Sequence, residues 1–551
     1  MRRLGLTTFF SLGLAIATTA LGASQDGSLW FVSPIGTRAT AEVVSAIDAC
    51  GGERVFTPSA LDTVAARLTR QQQATLRAAG LALFPADGEL STSAPPQGAG
   101  ATAVAAHTWV SGALAAHRAG IFGDITIAMI DTGIGQAHEK RMPDRVLKQV
   151  DFVNDGSEGD PHGHGSHLIE IAMAGIDGDD PASTGVAPRA KLLSLRAFDE
   201  TGSATYFDVV RALDWVLAHR EEYDIRVLNL SFTAPPLSWY WNDPINRAVM
   251  RAWRDGIVVV AAAGNLGPDA MTIGVPANVP YVITVGAMSD SYTPHDGGDD
   301  RLASFSSAGP TYEGFVKPEV VAPGGHMAAW LGRDAQLPHT HPEQFREGSD
   351  TFQMSGTSQA AAVVSGVVAL MLDARPELTP DDVKCRLMSS ARAAISEAGT
   401  PAYSIFQQGA GLIDAFAAIR SRRDGCANQR LDVEADLAGT RHFGGPANQR
   451  EDGHFYVVAP EDGSAIREPG YGWDQSPPGP LGYTWSQGYV WSRGYTWSQG
   501  YTWSQGYTWS RGYTWSMGYT WSQSLPWYDE FASKPVPMGA KAHLTRWVSD
   551  E

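Results

Sequence analysis

Apolar positions along this chain fall into runs whose period changes from stretch to stretch. After Arg2 and Arg3 comes "LGLTTFFSLGLAIATTALGA", continuously apolar, ending in small residues and followed by polar "SQDG". A basic start, apolar core and small-residue exit predict a secretory signal peptide over 1–23; the alternative is a membrane anchor, for which the core is short. Residues 24–90 alternate short apolar segments ("SLWFVSP", "VAARL", "LALFPADGELS") with helix-like "LTRQQQATLRAAG", the pattern of a small α/β unit. Residues 91–106, "STSAPPQGAGATAVAA", have the composition of an exposed linker.

From 107 to about 420 the apolar runs "DITIAMID", "AKLLSLRAF", "IRVLNLS", "GIVVVAAAGN" and "PYVITVGAM" alternate with helical stretches such as "TYFDVVRALDWVLAHREE". Continuous apolar strands are buried on both faces, which predicts an α/β fold with a mainly parallel sheet between helical layers. In such sheets functional groups gather beyond the carboxyl ends of the strands. Asp131, Ser231 and Asn265 each stand at the end of a run. "SQAAAVVSGVVALMLDA" reads as a buried helix. Residues 421–481 read as a linker, 482–523 as a repeat and 524–551 as a C-terminal tail. The repeat is seven copies of a six-residue unit, "GYTWSQ GYVWSR GYTWSQ …". Its even period puts Tyr and Trp on one face of an extended chain, a surface for polysaccharide, the cell surface or self-association. The alternative is a low-complexity tail without order of its own.

With 551 residues, 43% hydrophobic and 18% charged, several globular domains are expected. The formal charge of −18 argues against nucleic acid and anionic lipid as partners. Nothing in the composition points beyond a monomer.

The tract "DPHGHGSHLIE" holds His162, His164 and His167, either a metal tract or one catalytic imidazole with two fillers. No carboxylate or thiolate at useful spacing completes a metal site. "MIDTGIG" carries an Asp-Thr-Gly, but an aspartic peptidase needs two and no second is present. "FQMSGTSQAAAVVSG" puts Ser358 at the start of an apolar helix, where an imidazole would activate it. An α/β-hydrolase would place acid and histidine after the serine, and only His442, His454 and His543 follow it, all in the tail.

Asp131, His164 and Ser358 stand in the order Asp, His, Ser. "IAMIDTGIG", "HGHGSH", "VLNLSF", "VVVAAAGN", "LASFSSAGP", "VKPEVVAPGG" and "MSGTSQAAA" resemble, in order, the motifs of the subtilisin-like serine peptidases, and "QQGAGLIDAFAAI" resembles their closing helix. The resemblance covers about 110–420 and implies a secreted endopeptidase acting on polypeptides. It implies His164 as base, Asp131 as its orienting carboxylate, Ser358 as nucleophile and Asn265 as oxyanion donor. It leaves His167 as a packing residue and His162 in a loop. It also nominates Ser231, Phe232 and Thr233 as the strand that pairs with substrate, and Ala262, Ala263, Gly264 and Gly274 as small pocket walls suited to a bulky uncharged side chain.

Four positions depart from the family pattern: Thr233 and Glu170 in place of glycines, Ala362 in place of a proline, and Ser166 in place of threonine. A carboxylate at 170 must find a partner or reach solvent. Residues 24–90 resemble the family's inhibitory propeptide, cut off within 91–106; the alternative is a permanent N-terminal domain. Losing Cys50 with it would leave Cys385 and Cys426 to pair or to remain thiols. No cofactor is needed for this chemistry. Structural calcium is common in the family, and "DGDDPAS" and "DGGDD" are acidic loops with no recognisable ligand pattern.

Overall fold

A computed structural model describes residues 27–35, 38–92, 107–175, 184–346, 348–396 and 399–449, with the strands 455–458, 465–467 and 489–491. The expected signal peptide, residues 93–106 of the expected linker, nearly all of the repeat and the C-terminal tail lie outside these residues.

The N-terminal unit runs β1 (Ser28–Pro34), α1 (Thr40–Ala49), β2 (Glu53–Phe56), β3 (Val64–Leu68), α2 (Arg70–Ala78), β4 (Leu81–Pro85) and β5 (Glu89–Thr92). Its antiparallel sheet has the order β2-β3-β1-β4. Trp30, Val32, Val43, Ile47, Val64, Leu68 and Leu76 form a small core of their own. Thr69 and Gln72 close α2 with a reciprocal capping box. β5 leaves this sheet and joins the next unit, so Ser91 and Thr92 belong to a strand and not to the linker expected to begin there.

The second unit opens with β6 (Thr126–Asp131), β7 (Val146–Asp151), α3 (His164–Met173), β8 (Lys191–Arg196), β9 (Ser203–Thr205) and α4 (Tyr206–Ala218). It continues with β10 (Ile225–Leu230), β11 (Phe232–Thr233), α5 (Pro244–Arg254), β12 (Val258–Ala262), β13 (Ile283–Ser289), β14 (Arg301–Leu302) and β15 (Val320–Pro323). The eight-stranded sheet has the order β14-β13-β12-β10-β6-β8-β7, with β15 also on β13. Every pairing but β13–β14 is parallel. β6 and β12 are buried at every residue, as their unbroken apolar runs require. β7 carries Lys148 and Gln149 on an exposed edge, where charge discourages pairing with another chain.

A hairpin of β16 (Met327–Trp330) and β17 (Thr351–Met354) follows. Between its strands the chain closes a small core from Leu331, Leu337, Phe352 and Met354. Gln336 N donates to Pro161 O at 2.8 Å and Leu337 N to His162 O at 3.0 Å, so this excursion roofs the histidine tract. Next comes α6 (Thr357–Ala374), the expected apolar helix, packed against α3 and the sheet.

The ordered chain continues past the boundary expected at 420. α7 (Pro380–Ser390) carries Cys385, disulfide-bonded to Cys426. α8 (Val433–Leu437), β18 (His442–Gly444), β19 (Ala447–Gln449) and β20 (Phe455–Val458) then lie on the main unit, where Phe443, Ala447, Phe455 and Val457 join its core. Asp436 anchors them: buried, it accepts from Tyr240, from Tyr281 Oη at 3.1 Å and from His442 Nδ1 at 2.7 Å. The segment read as a linker is therefore folded over 426–449 at least. β21 (Ala465–Arg467) pairs with β20, and β22 (Tyr489–Trp491), inside the second copy of the repeat, pairs with β18.

Candidate active site

β6 ends at Asp131, and the next turn is held to the start of α3 by a lattice of short bonds. His164 Nδ1 donates to Asp131 Oδ1 at 2.7 Å, and Thr132 N donates to the same oxygen at 2.8 Å. Gly165 N donates to Thr132 Oγ1 at 2.9 Å and Gly135 N to Ser166 Oγ at 2.9 Å. A Cβ on Gly165 would lie 2.4 Å from Gly133 O, so only glycine admits this approach. Asp160 finishes the lattice: its Oδ1 accepts from Gly163 N at 2.7 Å and its Oδ2 from Ser166 N at 2.8 Å. A carboxylate capping these amides also opposes the positive helix end. Asp131 and His164 are both buried, and His164 Nε2 has no hydrogen-bond partner among the described residues.

Ser358 is the second residue of α6, the helix that packs on α3. Its hydroxyl donates to Ser231 O at 2.9 Å, while Ser231 Oγ donates to Ser358 O at 3.1 Å. Behind them Asn229 Nδ2 donates to Ser231 Oγ at 2.8 Å, and Ser365 Oγ donates to Asn229 Oδ1 at 2.9 Å. This buried polar chain ties the end of β10 to α6. Asn265, just past β12, accepts at Oδ1 from Thr357 N (3.0 Å) and Thr357 Oγ1 (2.9 Å). Those two donors fix the amide's orientation and leave Nδ2 as its donating face. Thr357 Oγ1 in turn accepts from Gly264 N at 3.1 Å.

Beside this centre, β5 lies between β9 and β11, paired antiparallel with both. Thr233 stands opposite Ser91 and Phe232 opposite Thr92. The Phe232 side chain turns into the core, its ring 5.1 Å from Phe198. Ala262 and Ala263 are buried at the end of β12. The pocket walls are narrower than small residues alone predict: a Cβ on Gly274 would meet Thr233 Oγ1 at 2.0 Å, and one on Gly264 would meet Ser307 Oγ at 2.9 Å.

The remaining histidines have structural surroundings. His167 is wholly buried, with Nε2 3.1 Å from Phe352 O, and burial lowers its pKa to about 3. His162 is in a loop as expected but is buried under the roof, which lowers it to about 4. Glu170 is buried and accepts from Arg141 Nε at 3.2 Å, and that guanidinium packs 4.9 Å over the Trp330 ring. The acidic loop at 296–300 turns its carboxylates on itself: Asp296 Oδ1 accepts from Gly298 N and Asp299 Oδ1 from Thr293 Oγ1. "DGDDPAS" lies outside the described residues. Among the described residues no group of three or more His, Cys, Asp or Glu is placed to hold a metal.

Sequence reasoning missed Asp160, Thr132, Thr357 and Asn229. Asp160 had a usable signal, an acid just ahead of a helix start. Each of the other three meets a partner far off in sequence: Thr132 meets Gly165, Thr357 meets Asn265 and Asn229 meets Ser365.

The Subtilase family model matches residues 123–411. Serine protease AprX of Bacillus subtilis (strain 168) is 37% identical over 267 residues, which is 47% of this chain and 59% of that protein. The match thus spans less than two thirds of AprX. Subtilisin DY of Bacillus licheniformis is 33% identical over 299 residues, 54% of this chain and 90% of that protein. The crystal structure of fervidolysin from Fervidobacterium pennivorans, a keratinolytic enzyme related to subtilisin, shares the fold with a TM-score of 0.57 at 21% identity, covering 79% of this chain and 68% of that one. On the family model and the extent of these matches, this chain belongs to the subtilase family.

Proposed function

We propose that this chain is an exported serine endopeptidase that cleaves polypeptides through an acyl-enzyme, and that its N-terminal unit is an inhibitory propeptide removed on maturation. The observation that carries the reading is the 2.7 Å bond from His164 Nδ1 to Asp131 Oδ1, on a helix packed against the one that bears Ser358.

With Nδ1–H held by the carboxylate, Nε2 is the basic nitrogen. Ser358 Oγ turns from the Ser231 carbonyl, gives its proton to Nε2 and bonds to the substrate carbonyl carbon. The carbonyl oxygen takes up negative charge, for which Asn265 Nδ2 and the Ser358 amide at the start of α6 are the donors. As the C–N bond breaks, His164 returns the proton to the departing amine. Water, deprotonated by the same nitrogen, then cleaves the ester and restores Ser358. Apart from substrate and water, every group in this cycle belongs to the chain, so it calls for no cofactor.

The position of β5 supports the propeptide reading. An extended strand paired on both edges beside Ser231 lies as a polypeptide substrate would. Asp214 on α4 holds the N-terminal unit in place, accepting from Ser59 N and Oγ (3.0 Å each), Ala60 N (2.7 Å) and Leu61 N (3.0 Å).

The test is labelling with a fluorophosphonate, which phosphonylates an activated serine hydroxyl. The wild type is expected to label at Ser358 and to hydrolyse casein, and Ser358→Ala to do neither. An unlabelled, inert wild type would favour a binding scaffold instead.

A further inference from the structure

We infer that Thr233 restricts the residue just before the scissile bond to small side chains; this deepens, and rests on, the peptidase reading above. The register comes first. β5 runs antiparallel to β11 with Ser91 opposite Thr233 and Thr92 opposite Phe232. A bound peptide that continued this register by one step would stand opposite Ser231, the residue whose carbonyl accepts from Ser358 Oγ at 2.9 Å and whose hydroxyl donates to Ser358 O. A peptide in the place of β5 therefore offers the nucleophile the residue opposite Ser231.

The room beside that position comes second. Gly264 follows the end of β12 and precedes Asn265, and its amide donates to Thr357 Oγ1. Gly274 faces it across Thr233, whose side chain fills the gap that two glycines would otherwise leave. An ideal Cβ on Gly274 would stand 2.0 Å from Thr233 Oγ1 and 2.5 Å from Ala234 O. An ideal Cβ on Gly264 would stand 3.5 Å from Thr233 Cγ2 and 2.9 Å from Ser307 Oγ. Threonine is β-branched and stiff at χ1, so it does not swing aside cheaply. A phenyl or isobutyl group has no place there without displacing it. Apolar recognition sits further back along the strand: Leu90 is fully buried in the main core beside β9.

The experiment uses the full chain after maturation, with peptides carrying Leu four residues before the bond and Ala, Ser, Leu, Phe or Lys immediately before it. The wild type is expected to favour Ala or Ser over Phe by about tenfold or more in kcat/KM, the discrimination that a misfit of a few methylenes supports. Thr233→Gly is expected to raise the Phe/Ala ratio by about tenfold. Thr233→Val, alike in shape, is expected to keep the preference for small residues. A wild type that prefers Phe or Leu overturns the inference, and the wild-type profile needs no variant to fold. A ratio unmoved in Thr233→Gly overturns the role of Thr233. If Ser358 takes the fluorophosphonate in those cases, the pocket inference alone has failed. If neither labelling nor cleavage occurs, the peptidase reading has failed with it.

Discussion

A serine hydroxyl is a weak nucleophile, and serines on apolar helices are commonly packing residues. What sets Ser358 apart is its company: a histidine pinned at Nδ1 by a buried carboxylate, and Asn265 turned by Thr357 so that its amide donates. Asn265→Ala should lower kcat by about a hundredfold to a thousandfold with little change in KM, because the bond it would make strengthens only as charge develops. A KM that rises as far as kcat falls would make Asn265 a structural residue instead. Asp160 touches no substrate, yet it caps the helix on which His164 sits. Asp160→Ala should cost about 1–2 kcal/mol of stability, measured by denaturant unfolding, and should lower kcat more than it raises KM. Asp131, His164 and Ser358 were legible in the sequence because each lies in a short motif whose neighbours are forced by local geometry. Thr357 was not, because its bonds to Asn265 span 92 positions, and Asn229 was not, because its tie to α6 through Ser365 spans 136 and leaves no local pattern.

At the scale of elements, departures from a pattern are met by additions elsewhere. Glu170 replaces a residue without a side chain at the heart of α3, and its carboxylate is answered by Arg141, itself covered by Trp330 from the β16–β17 excursion. Arg141→Ala should therefore destabilise the protein by roughly 2 kcal/mol, since it removes a charge-assisted bond to a buried carboxylate. Arg141→Ala with Glu170→Gly should recover most of that loss in thermal unfolding, and simple additivity would refute the coupling. The excursion was not read from the sequence, because its short apolar clusters carry no sustained period. The segment past 420 was misread as linker for a similar reason. What holds it is a buried Asp436 and the Cys385–Cys426 bond, not a repeating apolar face. With a sequence separation of 41, losing that bond in Cys385→Ala/Cys426→Ala should cost about 2–4 kcal/mol.

At the scale of the whole molecule, the two units form one assembly in which the smaller lays a strand across the cleft of the larger. The parallel sheet and its helices were legible because unbroken apolar strands have few alternatives; the docking of the N-terminal unit was not, since Asp214 gives no sign in sequence of the amides it meets. In full-length Ser358→Ala, adding Asp214→Ala should speed hydrogen exchange at Ala60 and Leu61 by about tenfold or more, while β6 stays protected. Exchange unchanged there would mean that the contact does not hold the units together.

Acid should loosen the larger unit through its buried histidines. The folded state holds His167 near 3, far below its unfolded value of about 6.5. Between those limits the unfolded chain binds the extra proton, so the stability gained by keeping the imidazole neutral is complete above about pH 6.5 and is lost as pH falls toward 3. Asp243 and Glu313, which burial pushes up to about 7, act with the opposite sign, so a variant difference isolates the histidine better than the bare profile. The gap in Tm between Ser358→Ala and Ser358→Ala/His167→Gln should narrow from pH 7 to pH 4, and a constant gap would contradict this.

The central claim is that Ser358 is a working nucleophile whose first substrate is its own N-terminal unit. N-terminal sequencing with intact mass, wild type beside Ser358→Ala, tests it directly. The account predicts a wild type that begins within 93–106 and a variant that keeps the N-terminal unit. Two chains that are both untrimmed, or both trimmed at the same bond, would contradict it.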